Sequence, residues 1–304
     1  MKKITHLIFS GNGFNSLSLL GVLRYIYFNK LEENIHNVAG TSMGSFFCLA
    51  FALKIPFEEL EIMINEFIIN EDNLIIKKED FNNLFIKNGL DKTIIYLNSF
   101  KNYIKKKYDL DDMTFIELSK KTGINLYVSS VNINKCENVI FNINDTPNVS
   151  IFDAVASSMS IPFISEPVLI DGYYYIDGAL INNFPIEVFK NIPNDNILGV
   201  IYIIDKNYKS NEIPKDTYIP LLTYSLQVLH ILICNTTKIS LISKFNEDNV
   251  NDYLIIRDSH MDGPISFFLN KDYIKKKLTV NDIDKFIFQG YKEIHNYMNK
   301  YLEL

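Results

Sequence analysis

The stretch Gly40-Thr41-Ser42-Met43-Gly44 fits G-x-S-x-G, the spacing that perches a nucleophilic serine on a sharp turn between a strand and a helix. In such a turn the serine hydroxyl points outward, and side chains two residues to either side would collide, so both positions favour glycine. A helix beginning at Gly44 aims its positive end and free N–H groups at the serine. The plainer reading is an ordinary glycine-rich turn. As a nucleophile Ser42 is weak and needs an adjacent base. The histidines are His6, His36, His230, His260 and His295. His6 and His36 fall in or before the first two strands and read as structural. The order Ser42, Asp177, His260 would match the hydrolase triad. Against it, Ser42 follows only two strands, and His260 sits in a weakly patterned stretch. An aspartate that accepts directly from the serine hydroxyl is adequate if the site is dry and pre-aligned.

The chain also carries three Asp-Gly pairs. Asp171-Gly172 joins the strand-like Val168-Leu169-Ile170 to Tyr173-Tyr174-Tyr175-Ile176, which is the signature of a two-residue hairpin. Asp177-Gly178-Ala179 follows a strand that is already complete, just before Asn182-Asn183-Phe184-Pro185 opens a helix. Sites form at such strand ends in open α/β sheets. Asp262-Gly263-Pro264 reads as a plain loop.

A glycine-rich turn, Ser10-Gly11-Asn12-Gly13, follows the first strand, Ile4 to Phe9. Its backbone N–H groups can cradle an anion. One reading is a dinucleotide-binding turn with Glu32 or Glu33 as the ribose acid, although Ser16 replaces the last glycine. The other is an oxyanion hole for acyl transfer, preferred beside Ser42.

The elements around these residues alternate. A helix from about Asn15 to Lys30 carries Leu20, Leu23, Tyr27 and Leu31 on one face. A second runs from Pro56 through Ile68, with Phe57, Leu60, Ile64 and Phe67 apolar. Residues 70–123 read as a helical insertion with charged loops. Tyr103-Ile104-Lys105-Lys106-Lys107-Tyr108 is echoed by Tyr273-Ile274-Lys275-Lys276-Lys277. Both fit solvated helix faces; the sharper alternative is contact with lipid headgroups. Strands are expected at 124–133, 139–143, 198–204 and 253–256, with helices at 151–158 and 279–301.

With 304 residues and 47% hydrophobic content, the chain can bury a large core. A net charge of −6 argues against a nucleic-acid binder. Cys48, Cys136 and Cys234 are three and far apart, which suggests a reducing compartment. No His/Cys/carboxylate cluster stands at metal-ligand spacing, so neither metal nor cofactor is expected. The apolar run after Met1-Lys2-Lys3 is too short for a secretory signal. Ile219 to Cys234 is broken by polar residues and reads as a buried core helix instead of a membrane span. The expected setting is intracellular, soluble or peripheral to a membrane.

Across residues 4–205 the chain resembles the patatin-like phospholipases. Four blocks carry the likeness: Ser10 to Gly13 with Leu19-Leu20-Gly21-Val22-Leu23; Ala39 to Ser45; Ala156-Ser157-Ser158 with Ile161-Pro162-Phe163; and Tyr175 to Pro185. The resemblance implies a three-layer α/β fold, with a mainly parallel sheet between helices. It implies a Ser42–Asp177 dyad, an oxyanion hole lined by Gly11, Asn12 and Gly13, and a phospholipid or other acyl-ester substrate at a lipid surface. Where the family has glycine, a basic residue and glycine, this chain has Asn12, Asn15 and Ser16. A lipid-binding protein that has lost turnover is therefore the non-enzyme alternative. Residues 1–205 are expected to form the catalytic domain, and 206–304 a helical part packed on it.

Overall fold

The computed structural model describes residues 3–69, 80–90, 94–204, 220–244, 253–258 and 280–302. His260, Asp262 and the Tyr273–Lys277 echo lie outside them.

Apolar runs flanked by turns form the strands β1 (His6–Phe9), β2 (Asn37–Thr41), β3 (Asn125–Asn132), β4 (Glu137–Phe141), β5 (Val168–Ile170), β6 (Tyr173–Asp177), β7 (Ile197–Ile204) and β8 (Leu254–Asp258). They make one sheet in the order β5-β6-β3-β2-β1-β7-β8, with β4 also paired to β3. The run β3-β2-β1-β7-β8 is parallel, and β4, β5 and β6 pair antiparallel. The architecture is α/β, as expected.

The helices are α1 (Ser18–Phe28), α2 (Met43–Ala52), α3 (Phe57–Ile69), α4 (Asp80–Lys87), α5 (Ile94–Tyr108), α6 (Phe115–Thr122), α7 (Ile151–Ser158), α8 (Pro220–Lys244) and α9 (Val280–Leu302). Local chemistry sets several of their ends. Thr114 and Glu117 form a reciprocal capping box on α6, and Ser150 caps α7 through Phe152 and Asp153 N–H. Among the described residues no helix is long and apolar enough to cross a membrane.

On one face of the sheet Leu7, Phe9, Val38, Leu126 and Val128 pack beneath α1, α2, α7 and α9. α9 meets α1 almost backbone to backbone. A Cβ on Gly21 would stand 1.9 Å from Ile287 O, and one on Gly290 would stand 1.8 Å from Ser18 O. On the other face Ile8, Ala39 and Ile201 are covered by Phe184 and Phe189.

Two expectations change. The segment after Asn182-Asn183-Phe184-Pro185 is not an α-helix but a short 3-10 turn, Ile186–Phe189. Phe189 at its end joins Phe184, which lies before it, in the same buried cluster on the sheet. Within the Ile219–Cys234 stretch, the described residues from Pro220 on are helical but only half buried. Leu226, Leu229 and Ile233 pack against Leu90, Ile164 and Ala179, whereas Tyr224, Ile231 and Leu232 face outward, Ile231 being 56% exposed.

Candidate active site

β1 and β2 end side by side, with Phe9 opposite Gly40. The glycine-rich loop and the Ser42 turn therefore leave the sheet at the same end. β6 brings in the third component. Ser129 of β3 pairs with Thr41 of β2 and with Ile140 of β4. Ser130 pairs with Asp177 of β6 and with Val139 of β4. A strand has two edges, so β2 and β6 share the one that β4 leaves open. They point at each other along it, and their last residues meet at Ser129 and Ser130.

Ser42 stands in that junction at φ 52 and ψ −133, in a left-handed region that L-residues avoid. Its neighbours explain how the strain is tolerated. A Cβ on Gly40 would lie 2.6 Å from Ser45 N, and one on Gly44 would lie 2.3 Å from Phe9 O. The Ser42 N–H donates to Ser158 Oγ at 2.8 Å, and Ser158 donates onward to Ser129 O at 2.6 Å. Ser45 Oγ donates to Ser42 O at 2.6 Å.

Serine at a helix N-cap usually turns its oxygen back onto the helix amides. Ser42 does not. Its hydroxyl donates to Asp177 Oδ2 at 2.7 Å. The other carboxylate oxygen, Oδ1, accepts Ala179 N–H at 2.8 Å, and Asp177 N–H donates to Ser160 O at 2.9 Å. Ser42 is 6% exposed and Asp177 1%. Burial pushes the Asp177 carboxyl up to about 7, against the lowering effect of the Ala179 and Ser42 hydrogen bonds. A carboxylate poised near neutrality and already bonded to a hydroxyl can serve as its general base.

The loop Gly11-Asn12-Gly13 lies beside Ser42: a Cβ on Gly11 would come within 2.6 Å of Ser42 Cβ. Its amides are not equivalent. Gly11 N–H donates to Asn183 Oδ1 and Asn12 N–H to Ser16 Oγ, each at 2.9 Å. For the Gly13 N–H no acceptor is found among the described residues.

Asp171 takes φ 49 and Gly172 φ 82 in the two-residue turn between β5 and β6. It is exposed and outside this cluster. Glu32 and Glu33 precede β2, which starts opposite His6. They sit at the end of the sheet opposite Gly11 and cannot serve a nucleotide ribose bound at that loop. Lys107 reaches Lys54 O at 3.2 Å, beyond the C-terminus of α2. That is roughly 15 Å along the helix from Ser42, so this lysine cluster is remote from the site and complements the negative helix end. Among the described residues no group of three His, Cys, Asp or Glu is placed to hold a metal.

Ser158, Ser16 and Asn183 bond the backbone of the candidate site, a role that motif reading did not assign to them. Ser158 and Asn183 lay inside quoted blocks, but nothing in a linear pattern assigns a partner to a serine or an asparagine.

The family described as patatin-like phospholipase matches residues 7–190. The chain is 30% identical over 213 residues to uncharacterized protein R571 of Acanthamoeba polyphaga mimivirus, covering 69% of this chain and 68% of that one. It is 30% identical over 217 residues to probable lipid hydrolase 463L of Invertebrate iridescent virus 6, covering 67% and 72%. Among solved structures it superposes on VipD from Legionella pneumophila with a TM-score of 0.58 at 15% identity, covering 98% of this chain and 67% of that one. For the heterodimeric ExoU–SpcU complex from the type III secretion system of Pseudomonas aeruginosa the TM-score is 0.53 at 11% identity, covering 99% and 52%, so the chain spans about half of that protein. These last two likenesses concern the fold alone. By the family match and the two viral relatives, the chain belongs to the patatin-like phospholipases.

Proposed function

We propose that this protein is a lipid acyl hydrolase of the phospholipase A type, which cleaves fatty-acyl esters presented at a lipid surface through a Ser42–Asp177 dyad. The family and the relative named a probable lipid hydrolase support the hydrolase class. The observation that carries the dyad is the 2.7 Å bond from Ser42 Oγ to Asp177 Oδ2 in a buried junction.

Ser42 Oγ attacks the ester carbonyl carbon while Asp177 takes its proton. The carbonyl oxygen becomes an oxyanion, held by the Gly13 N–H and the N-terminal end of α2. Gly11 and Asn12 line the same hole and shape its loop. The intermediate collapses to an acyl-serine, and Asp177 returns the proton to the departing alcohol. Water then attacks the acyl-serine, giving its proton to Asp177, and as the C–Oγ bond breaks Asp177 returns that proton to Ser42 Oγ, releasing the fatty acid.

One observation favours a second reading. Two of the three loop amides already have acceptors, which suits a lipid-binding protein with weakened turnover. Hydrolysis of a short-chain chromogenic ester, with intact-mass detection of a fluorophosphonate adduct mapped to Ser42, separates the two. Labelling and turnover support the enzyme; absence of both, in folded protein, leaves the binding protein.

A further inference from the structure

Asn183 is buried, and its carboxamide makes two hydrogen bonds to one residue. Oδ1 accepts Gly11 N–H at 2.9 Å, and Nδ2 donates to Gly11 O at 3.0 Å. The side chain thus pairs with the Gly11 peptide as a neighbouring strand would. The second hydrogen on Nδ2 reaches Thr237 Oγ1 of α8 at 3.2 Å, and Thr237 itself donates to Ile233 O at 2.8 Å. That chain of donors leaves one orientation of the amide: the oxygen must meet Gly11 N–H, and the nitrogen must meet Gly11 O and the Thr237 lone pair.

Gly11 in turn has no slack. A Cβ there would stand 2.6 Å from Ser42 Cβ, 2.9 Å from Thr41 O and 3.2 Å from Asn183 Oδ1. It is wedged between the serine turn and the asparagine. Asn183 follows Asp177 by six residues, so the asparagine also ties the loop of the base to the loop of the hole. α8 packs Leu226, Leu229 and Ile233 against Ala179 of that same base loop.

We infer that Asn183 is a positioning residue: its carboxamide holds Gly11 against Ser42, sets Gly13 where the oxyanion forms, and joins both loops to α8 through Thr237. The inference rests on the proposed Ser42–Asp177 hydrolysis. No other side chain serves as well. Alanine leaves a buried N–H and a buried C=O without partners. Aspartate sets oxygen against Gly11 O and Thr237 Oγ1. Glutamine is one carbon too long for a gap this tight.

The test is steady-state hydrolysis of a soluble chromogenic ester by Asn183→Ala, beside melting temperature and the rate of Ser42 labelling by a fluorophosphonate. Misplacing a reacting group by about 1 Å, or losing one oxyanion donor, costs about 100-fold, so kcat and the labelling rate should fall together by about that factor. KM should change little, because ground-state binding is not touched. A purely structural asparagine would lower the melting temperature and leave the kcat and labelling rate of the folded fraction unchanged. Folded Asn183→Ala with kcat within about threefold of the parent, or with only KM raised, overturns the inference. If Asn183→Ala does not fold, Thr237→Val decides, since it keeps both bonds to Gly11 and removes only the α8 anchor. A several-fold loss of kcat at constant KM supports the inference, and unchanged kcat overturns it. Ser42→Ala is the control: if it turns over like the parent, the hydrolytic reading has failed, not the role of Asn183.

Discussion

Ser42 and Asp177, 135 residues apart, are joined by a 2.7 Å hydrogen bond because β2 and β6 end head to head along one edge of β3. The serine hydroxyl is diverted from the helix it caps to the carboxylate of another strand. Ser42→Ala removes that hydroxyl and little else. Turnover should fall by about 10³-fold or more, leaving only what binding and oxyanion stabilisation supply. The melting temperature should stay close to the parent's. Near-parental activity in the purified variant would refute the mechanism.

Asp177 supplies a pH dependence. Its carboxyl is held at about 7 by burial, above the ordinary value of 3.8. As the base it must be ionised, so kcat should rise with pH and reach half its plateau near pH 7. Stability should run the other way. Between pH 4 and 7 the folded chain holds a proton that the unfolded chain has lost, so this group's contribution to stability declines as pH rises through that window. Asp177→Asn should therefore be inactive at every pH, yet melt at or above the parent's temperature at pH 8. An active Asp177→Asn, or a pH profile flat from 5 to 9, contradicts the assignment.

Asp171→Asn is the matching negative case. Asp171 sits at positive φ in an exposed two-residue turn, where asparagine serves equally well. Activity should be unchanged and stability should move by less than about 1 kcal/mol. His260→Ala, tested alongside, should keep most activity if the proton goes directly to Asp177. A dead His260→Ala with an unaltered melting temperature would replace the dyad by a triad.

Ser158→Ala tests the strain at the serine turn. It deprives the buried Ser42 N–H and Ser129 O of their shared partner. Leaving such groups unsatisfied costs about 1–3 kcal/mol of stability. The peptide before Ser42 should also lose its fixed orientation, so kcat should fall with KM nearly constant. Calorimetry and steady-state kinetics on one preparation check both. A variant as stable and as fast as the parent would mean that Gly40 and Gly44 alone hold the turn.

Much of the candidate site was legible in the sequence because its ingredients are local. Gly40 and Gly44 flank Ser42 at the spacing that steric exclusion dictates: a Cβ at either position would run into backbone atoms. Asp171-Gly172 was separable from Asp177-Gly178 because a hairpin needs a strand on both sides, and only Asp171 has one. The alternation of strands and helices was enough for an α/β class. The amphipathic period of 279–301 was enough for α9, whose Ile283, Ile287, Ile294 and Met298 are buried.

The tertiary structure decided what depends on long-range pairing. β4 takes one edge of β3 and leaves β6 the edge that β2 already uses, and the register over 130–132 then places Asp177 against Ser42. The bonds from Gly11 and Asn12 to Asn183 and Ser16 decide which loop amide stays open, and a glycine-rich motif carries no trace of such partners. The helix after Pro185 is a short 3-10 segment, with Phe189 joining Phe184 in the cluster that covers the sheet. The residues from Gly40 to Gly44 thus specify a serine under local strain. What the hydroxyl bonds to, and how ready that partner is to take a proton, depends on burial at a junction built from strands more than a hundred residues apart in the chain.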